Sequence, residues 1–207
     1  MRRSKIFTIN LKDLKPHLPI ILCFFVFIIG LVLGSLFVGN FDYAEEYFSS
    51  SLEHRTDIRI EGNITNIFFD SFKGVIPLYL FVFLFGTSVV GCAMSPLILL
   101  WYGFSYGSIS GILYSSYDLE GIMCNAIIFI PSVLFCAFGL SLLVRDAVSF
   151  SYLLSGICIK ANKPINIYSN FKSYCLRGII SLIFAVVSIV FDVVMSSLFI
   201  EYFNFLT

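Results

Sequence analysis

Near the middle of the chain, residues 103–111 read GFSYGSISG, and the fold can be worked out from this stretch. Its three glycines recur at every fourth position, so they share one face of a helix. Glycine destabilises a helix in water, but in a bilayer small residues let helix backbones approach and pack closely. We therefore predict a central helix over 96–115, with neighbouring helices packed on the face formed by Gly103, Gly107 and Gly111. A glycine-lined pore or ligand groove is the alternative use of this face.

The whole chain has the composition of a membrane protein. Of its 207 residues, 58% are hydrophobic and only 13% are charged, and the mean hydropathy is +0.94. Runs of about 20 apolar residues indicate membrane spans. Five segments meet this description: 18–38, 75–94, 96–115, 122–144 and 178–200. The sequence predicts a single all-α membrane domain, a polytopic transmembrane bundle of five spans, surrounded by the lipid bilayer and without a soluble catalytic domain.

Glycine and proline give further detail within these spans. Pro96 predicts a tight turn at Ser95 between the second and third spans, because the residue before a proline disfavours the helical region. Pro131 removes one helical hydrogen bond and predicts a kink in the fourth span near Ile127. Small residues predicted to pack against neighbouring helices outside the central helix are Gly30, Gly34, Gly86 and Gly91.

The distribution of basic residues predicts the orientation in the membrane. Of the 13 Lys and Arg residues, five lie in 1–16, three in 40–73 and five in 145–177. Five spans place the first and last groups on one side, which then carries 10 of the 13 and is the cytoplasm by the positive-inside rule. We therefore predict an N-terminus inside, a C-terminus outside, an extracytoplasmic acidic loop over 40–73 and a cytoplasmic basic connector over 145–177. Within the connector, 147–159 is apolar but too short to span, so we predict a separate interfacial or packed helix.

The chain carries few side-chain patterns that indicate chemistry. Its six cysteines are scattered through apolar sequence without a C-x-x-C pair, which is typical of small apolar core residues. The two histidines lie far apart, and no glycine-rich phosphate loop, nucleophile motif or nucleic-acid-binding module is present. We therefore predict no catalytic residues, metal site, cofactor or nucleic-acid partner, and a protein that is not an enzyme.

One acidic residue lies inside a predicted span. Asp192 belongs to a helix face whose other members are small or polar: Ser181, Ala185, Ser188 and Ser196. The predicted hydrogen-bond partners of Asp192 are Asn125, Ser132, the carbonyl freed by Pro131 and the serines of the third span. No predicted span contains a basic residue to pair with it, and burial disfavours its charged form. We predict that Asp192, Asn125 and Ser188 form a buried polar group.

Three roles for Asp192 stay open: hydrogen bonding between helices, a transported proton or ion, or contact with a partner protein. In the first case a neutral carboxyl replaced by Asn would keep most of its hydrogen bonding. The sequence therefore predicts that Asp192→Asn is tolerated.

The order of these features resembles that of the stage II sporulation protein M family of integral membrane proteins. The features run from the basic N-terminus and first span through the acidic segment to IFFDS at 67–71. They continue with Gly86, Gly91 and Pro96, the three glycines of 103–111, LEG at 119–121 and IFIP at 128–131. The resemblance implies a bacterial multi-pass cell membrane protein of the mother cell, in the septal membrane, that is needed for engulfment during sporulation. It also implies anchoring of the peptidoglycan-degrading sporulation proteins D and P, without a catalytic residue of its own.

Two functions follow as expectations. The first is a non-enzymatic membrane anchor or scaffold for cell-wall remodelling enzymes during endospore engulfment. The second is a small transporter or permease-like membrane subunit that uses Asp192 and the glycine face. The sequence leaves self-association into a homo-oligomer open.

Overall fold

The computed structural model describes residues 18–40, 42–60, 63–159 and 167–199. The helices are α1 (Leu18–Val38), α2 (Asp42–Ile60), α3 (Ile64–Gly86), α4 (Gly91–Cys124), a π-helical turn (Asn125–Phe129), α5 (Ile130–Ile159) and α6 (Ile167–Phe199). The described residues contain no strand, and the predicted all-α helical bundle is confirmed. The basic N-terminal segment and residues 160–166 of the predicted connector lie outside the described residues.

Four helical stretches are long and apolar enough to cross a membrane: Leu18–Val38, Ile64–Gly86, Gly91–Ile157 and Ile167–Phe199. The third has 67 residues and folds back on itself. Its helical geometry breaks at Asp118, which has a φ of 45° and a ψ of −127°. The two arms run antiparallel, since Asn125 donates a hydrogen bond to the Tyr114 hydroxyl near the break. At the far end of the arms, the Cys92 amide donates to Ser151 Oγ at 2.9 Å.

The long helices alternate in direction. In the pair α3 and α6, Tyr174 lies beside Phe83 and Asp192 beside Ser71, so these two helices are antiparallel. Helices α5 and α6 are also antiparallel, as the hydrogen bonds from Ser181 to the Gly139 carbonyl and from Ser188 to the Ser132 carbonyl require. In contrast, α1 and α4 run parallel, because Gly30 contacts Leu100 and Gly34, one turn later, contacts Phe104. One end of the bundle therefore holds the start of α1, the α3–α4 turn and the start of α6, and the other end holds α2 and the break at Asp118.

The glycine face of α4 packs directly on α1. A Cβ atom at Gly107 would overlap the carbonyl oxygen of Leu31, and one at Gly34 would overlap the carbonyl oxygen of Phe104. Ser108 Oγ also donates to the Gly34 carbonyl at 3.2 Å. The glycines at this parallel backbone contact are Gly30 and Gly34 of α1 and Gly103, Gly107 and Gly111 of α4. The two small-residue faces expected from the sequence therefore meet each other.

The predicted boundary between the second and third spans is wrong. Helix α3 starts at Ile64, where Asn63 caps it by accepting a hydrogen bond from the Thr65 amide at 3.2 Å, and it ends at Gly86. The chain turns at 87–90, and the predicted turn residues Ser95 and Pro96 lie inside α4. Sequence reasoning missed the turn because residues 87–90 are themselves partly apolar, so the hydropathy does not fall there.

Gly86 and Gly91 both serve this turn. A Cβ atom at Gly91 would overlap the Phe85 carbonyl oxygen across the turn, and one at Gly86 would overlap the Tyr174 hydroxyl and press on Ala147. The second glycine therefore opens α4 instead of lying inside the second span, and the first packs α3 against α5 and α6.

The remaining differences concern segments that were predicted to be loops or separate helices. The acidic segment 40–73 is helical over Asp42–Ile60, and its last part belongs to α3. The segment 147–159 is not a separate helix, because α5 runs without interruption from Ile130 to Ile159. The irregularity expected near Ile127 takes the form of the π-helical turn that ends just before Pro131.

The contact between α1 and α4 generates a stability prediction. Gly107→Leu should lower the free energy of unfolding by about 1–3 kcal/mol or more, because the new side chain enters a backbone contact. Gly156→Leu is the matched control, since no atom lies within 4 Å of a Cβ added at Gly156. Thermal unfolding of both purified variants in detergent measures the difference. If Gly107→Leu unfolds at the same temperature as the wild type, this contact does not stabilise the bundle.

Candidate functional site

Arg59 lies in the last turn of α2, and its side chain reaches into the bundle, where it is only 1% exposed. Its Nη2 donates to Asp192 Oδ2 at 2.8 Å, and its Nε donates to Ser196 Oγ at 3.1 Å. Its Nη1 donates to the Arg55 carbonyl at 2.8 Å and lies 3.6 Å from Asp70 Oδ2. We refer to Arg59, Asp70 and Asp192 as the ion cluster.

The ion cluster joins four elements of the fold. Arg59 comes from α2, Asp70 from α3 and Asp192 from α6. The guanidinium carbon of Arg59 also lies 5.2 Å from the centre of the Phe129 ring in the π-helical turn, which is within cation–π range. Ser71 donates a short hydrogen bond to Asp192 Oδ2, so that one carboxylate oxygen accepts from both Arg59 and Ser71.

The second oxygen of Asp192 has a different environment. Asp192 is 6% exposed, and its Oδ1 atom is buried without a hydrogen-bond partner among the described residues. Buried polar atoms in folded proteins are nearly always paired with protein groups or ordered water. This atom is therefore the most distinctive feature of the site.

Asp192 reaches the interior because of the small residues around it on α6. The face predicted from the sequence is buried in the structure: Ser181, Ala185, Ser188, Asp192 and Ser196. Ser188 Oγ donates to the Ser132 carbonyl at 2.8 Å, and Ser181 Oγ donates to the Gly139 carbonyl at 3.1 Å. These bonds hold α6 against α5 and fix the depth of Asp192 in the bundle.

Asn125 is buried, but it does not join Asp192. It accepts a hydrogen bond from the Tyr106 hydroxyl and donates to Ser110 Oγ at 3.2 Å and to the Tyr114 hydroxyl. The prediction that Asn125 pairs with Asp192 is wrong. The reason is the π-helical turn, which adds a residue to the helical turn and rotates Asn125 toward α4, whereas Ser132 faces α6.

A cavity of about 210 Å³ adjoins the ion cluster. Its polar lining includes the side chains of Arg55, Ser105 and Asp192, and its walls are otherwise mainly apolar. Trp101 also lines it and is 60% exposed, so the cavity reaches the outer surface of the bundle. Neither α2 nor the cavity was foreseen from the sequence.

The basic partner of Asp192 was missed because it comes from outside the predicted spans. Arg59 lies in the acidic segment 40–73, which the sequence predicts to be a loop. The signal that could have found it is the spacing of Arg55 and Arg59, which are four residues apart and share a helix face.

A second group of charges lies near the other end of the bundle. Asp146 is 6% exposed, and its Oδ1 lies 2.7 Å from Arg145 Nη2 and 3.5 Å from Arg177 Nη1. Arg177 is 60% exposed, so this pair is open to the surroundings, unlike the ion cluster. The pair of Asp146 and Arg177 links α5 to α6 at the end of the apolar part of α5.

Comparison with known proteins gives no further guide to the site. No known protein family, curated protein or solved structure matches this chain. Within the described residues, no group of three His, Cys, Asp or Glu side chains is placed to hold a metal ion.

The sequence alone predicts that Asp192→Asn is tolerated, whereas the ion cluster predicts that this substitution destabilises the protein. Removing the carboxylate leaves a buried guanidinium without its nearest counter-charge, and breaking one side of a buried pair costs about 3–5 kcal/mol. We expect Asp192→Asn to be strongly destabilised and the double variant Arg59→Met, Asp192→Asn to regain most of the loss. Chemical unfolding of the wild type, both single variants and the double variant in detergent gives the coupling energy.

Glu53→Gln is the control for this cycle, because Glu53 is an exposed carboxylate on the same helix as Arg59. It should unfold like the wild type. If Asp192→Asn also unfolds like the wild type, the ion pair does not hold α2 on the bundle.

Proposed function

We propose that the chain is a multi-pass protein of the bacterial cell membrane that crosses the bilayer five times. The two antiparallel arms of 91–157 count as separate spans in this proposal. The end of the bundle with α2 and Asp118 faces the extracytoplasmic side, and residues 145–177 face the cytoplasm. The positive-inside rule supports this orientation, because 10 of the 13 basic residues fall on the proposed cytoplasmic side.

We propose further that the protein is a non-enzymatic scaffold that presents α2 to extracytoplasmic partners. The observation that carries this proposal is the burial of Arg59 between Asp192, Asp70 and Ser196. This side chain ties a polar helix to two apolar ones, which leaves α2 little freedom to move. A surface that is already ordered loses less conformational entropy when a partner binds.

The exposed side of α2 is polar and suited to contact with a protein. Glu53, His54 and Asp57 are exposed along it, and His54 lines a surface pocket together with Asn66 and Lys73 of α3. The sequence resemblance supplies the identity of the partners in this proposal. They are the peptidoglycan-degrading sporulation proteins D and P, recruited at the septal membrane of the mother cell during endospore engulfment.

A small transporter or permease-like subunit is the second candidate. The cavity beside the ion cluster and the unpartnered Oδ1 atom of Asp192 favour it. Ionisable residues within membrane proteins often mark transport pathways. Transport would require the Arg59–Asp192 pair to open during each cycle, whereas a scaffold requires it to stay closed.

The proposed orientation can be tested by labelling single cysteines. Leu119 and Tyr168 are 75% and 78% exposed and lie at opposite ends of the bundle. After replacement of the six native cysteines, Leu119→Cys should react with a membrane-impermeant thiol reagent on intact cells. Tyr168→Cys should react only after the membrane is opened. Labelling of Tyr168→Cys on intact cells would contradict the proposed orientation.

The scaffold role can be tested with a photo-crosslinking amino acid at Asp57, on the exposed side of α2. In sporulating cells it should form a covalent adduct with a peptidoglycan-degrading enzyme. The same group at Leu80 is the control, because Leu80 is 55% exposed in the apolar part of α3 and should crosslink no such enzyme. Arg59→Met should weaken the adduct at Asp57, because α2 is no longer held in place.

Two outcomes would count against the scaffold. The first is a crosslinker at Asp57 that captures no wall-degrading enzyme although the protein is present at its normal level. The second is a solute flux into vesicles that depends on the purified protein and stops when the Arg59–Asp192 pair is locked by a crosslink, which would favour the transporter.

A further inference from the structure

Two charged side chains that line the cavity beside the ion cluster have unused binding capacity. The first is Asp192, whose Oδ1 atom accepts no hydrogen bond among the described residues although a carboxylate oxygen can accept two. The second is Arg55, which lines the cavity and whose guanidinium has no ion-pair partner among the side chains that the structure describes. The carbonyl of Arg55 accepts from Arg59, but its side chain takes no part in the ion cluster.

The charges of the lining determine what kind of molecule fits. The cavity is lined by two guanidinium groups, from Arg55 and Arg59, and by two carboxylates, from Asp70 and Asp192. Its net charge is therefore zero, and Arg59 already shares its charge between both carboxylates. A simple cation or anion would unbalance this arrangement, whereas a molecule with one group of each sign would leave it neutral.

We propose that the cavity binds a small zwitterion with a primary ammonium group and an acidic oxyanion. The ammonium donates to the Asp192 carboxylate, and the oxyanion pairs with the Arg55 guanidinium, which forms strong hydrogen bonds with phosphate and carboxylate groups. The volume of about 210 Å³ suits a head group of this size and not a large ligand.

Two sources offer this chemistry. Phosphatidylethanolamine of the surrounding bilayer carries both groups on its head group, and the exposed Trp101 in the lining places the cavity next to the outer surface of the bundle. Free phosphoethanolamine carries the same two groups without acyl chains. The binding site does not depend on the scaffold role, so either proposal can fail while the other stands.

Binding can be tested on the purified full-length protein in phosphatidylglycerol nanodiscs. Phosphatidylethanolamine, phosphatidylcholine or free phosphoethanolamine is added, and thermal unfolding and lipid retention by native mass spectrometry are measured. Phosphatidylethanolamine should raise the unfolding temperature and stay bound. Phosphatidylcholine should do so much less, because its trimethylammonium group has no N–H to donate to the Asp192 carboxylate.

Two variants change the cavity without removing the ion cluster. Arg55→Gln keeps the carbonyl that Arg59 uses and should weaken binding by about tenfold or more, because a charged hydrogen bond is lost. Ser105→Leu should fill the cavity and abolish binding. The matched controls are Arg177→Gln, an exposed arginine at the other end, and Ser116→Leu, an exposed serine outside the cavity on α4; both should bind like the wild type.

The results distinguish the sources and can overturn the proposal. Stabilisation by phosphoethanolamine alone, lost in Ser105→Leu, supports a free zwitterion as the ligand. Stabilisation by phosphatidylethanolamine that is lost in both cavity variants supports the lipid. Three results would overturn the proposal: phosphatidylcholine that raises the unfolding temperature as much as phosphatidylethanolamine does, unchanged binding in Ser105→Leu, or no effect of any probe.

Discussion

The burial of one guanidinium group constrains the end of the bundle that contains α2 and Asp118. A charge removed from water is costly unless it is paired and hydrogen-bonded, and Arg59 is almost fully buried. Its partners come from α3, α6 and the π-helical turn, so these elements must keep their relative positions. Together with the buried Leu52, Arg59 packs the polar segment Asp42–Ile60 against the bundle. It also leaves Asp192 with one oxygen engaged and one free.

Small residues bring the long helices close enough for this arrangement. In a lipid bilayer the hydrophobic effect does not drive apolar helices together. Close backbone packing and hydrogen bonds between helices must therefore stabilise the bundle. On one side of the bundle, Gly34 and Gly107 let α1 and α4 meet backbone to backbone. On the other side, Ser181 and Ser188 bond to carbonyl groups of α5. The cavity beside the ion cluster is lined by residues of both α4 and α6. The hydrogen bonds of Ser181 and Ser188 to α5 set the depth of Asp192 in the bundle.

The two candidate functions make opposite demands on the same residues. A scaffold benefits from a closed pair between Arg59 and Asp192, because a fixed α2 is a better surface for a partner. A transporter needs the pair to open, and the free Oδ1 atom would then be the place where a solute or proton enters. The cavity is compatible with a third situation, in which a bound zwitterion completes the polar contacts without moving α2. Occupancy of the cavity would then strengthen the scaffold instead of competing with it.

The all-α class, the apolar segments and the two small-residue faces can be predicted from the sequence alone, because hydropathy and four-residue spacing are local properties of the chain. The spacing of small residues also places Asp192 on a buried face of α6. Its pairing with Arg59 depends on tertiary packing, since a contact across 133 residues leaves no local pattern. The position of the α3–α4 turn could not be predicted from hydropathy, because residues 87–90 are partly apolar. The partners of Asn125 likewise depend on the π-helical turn, which rotates one part of a helix against the next and cannot be derived from regular periodicity.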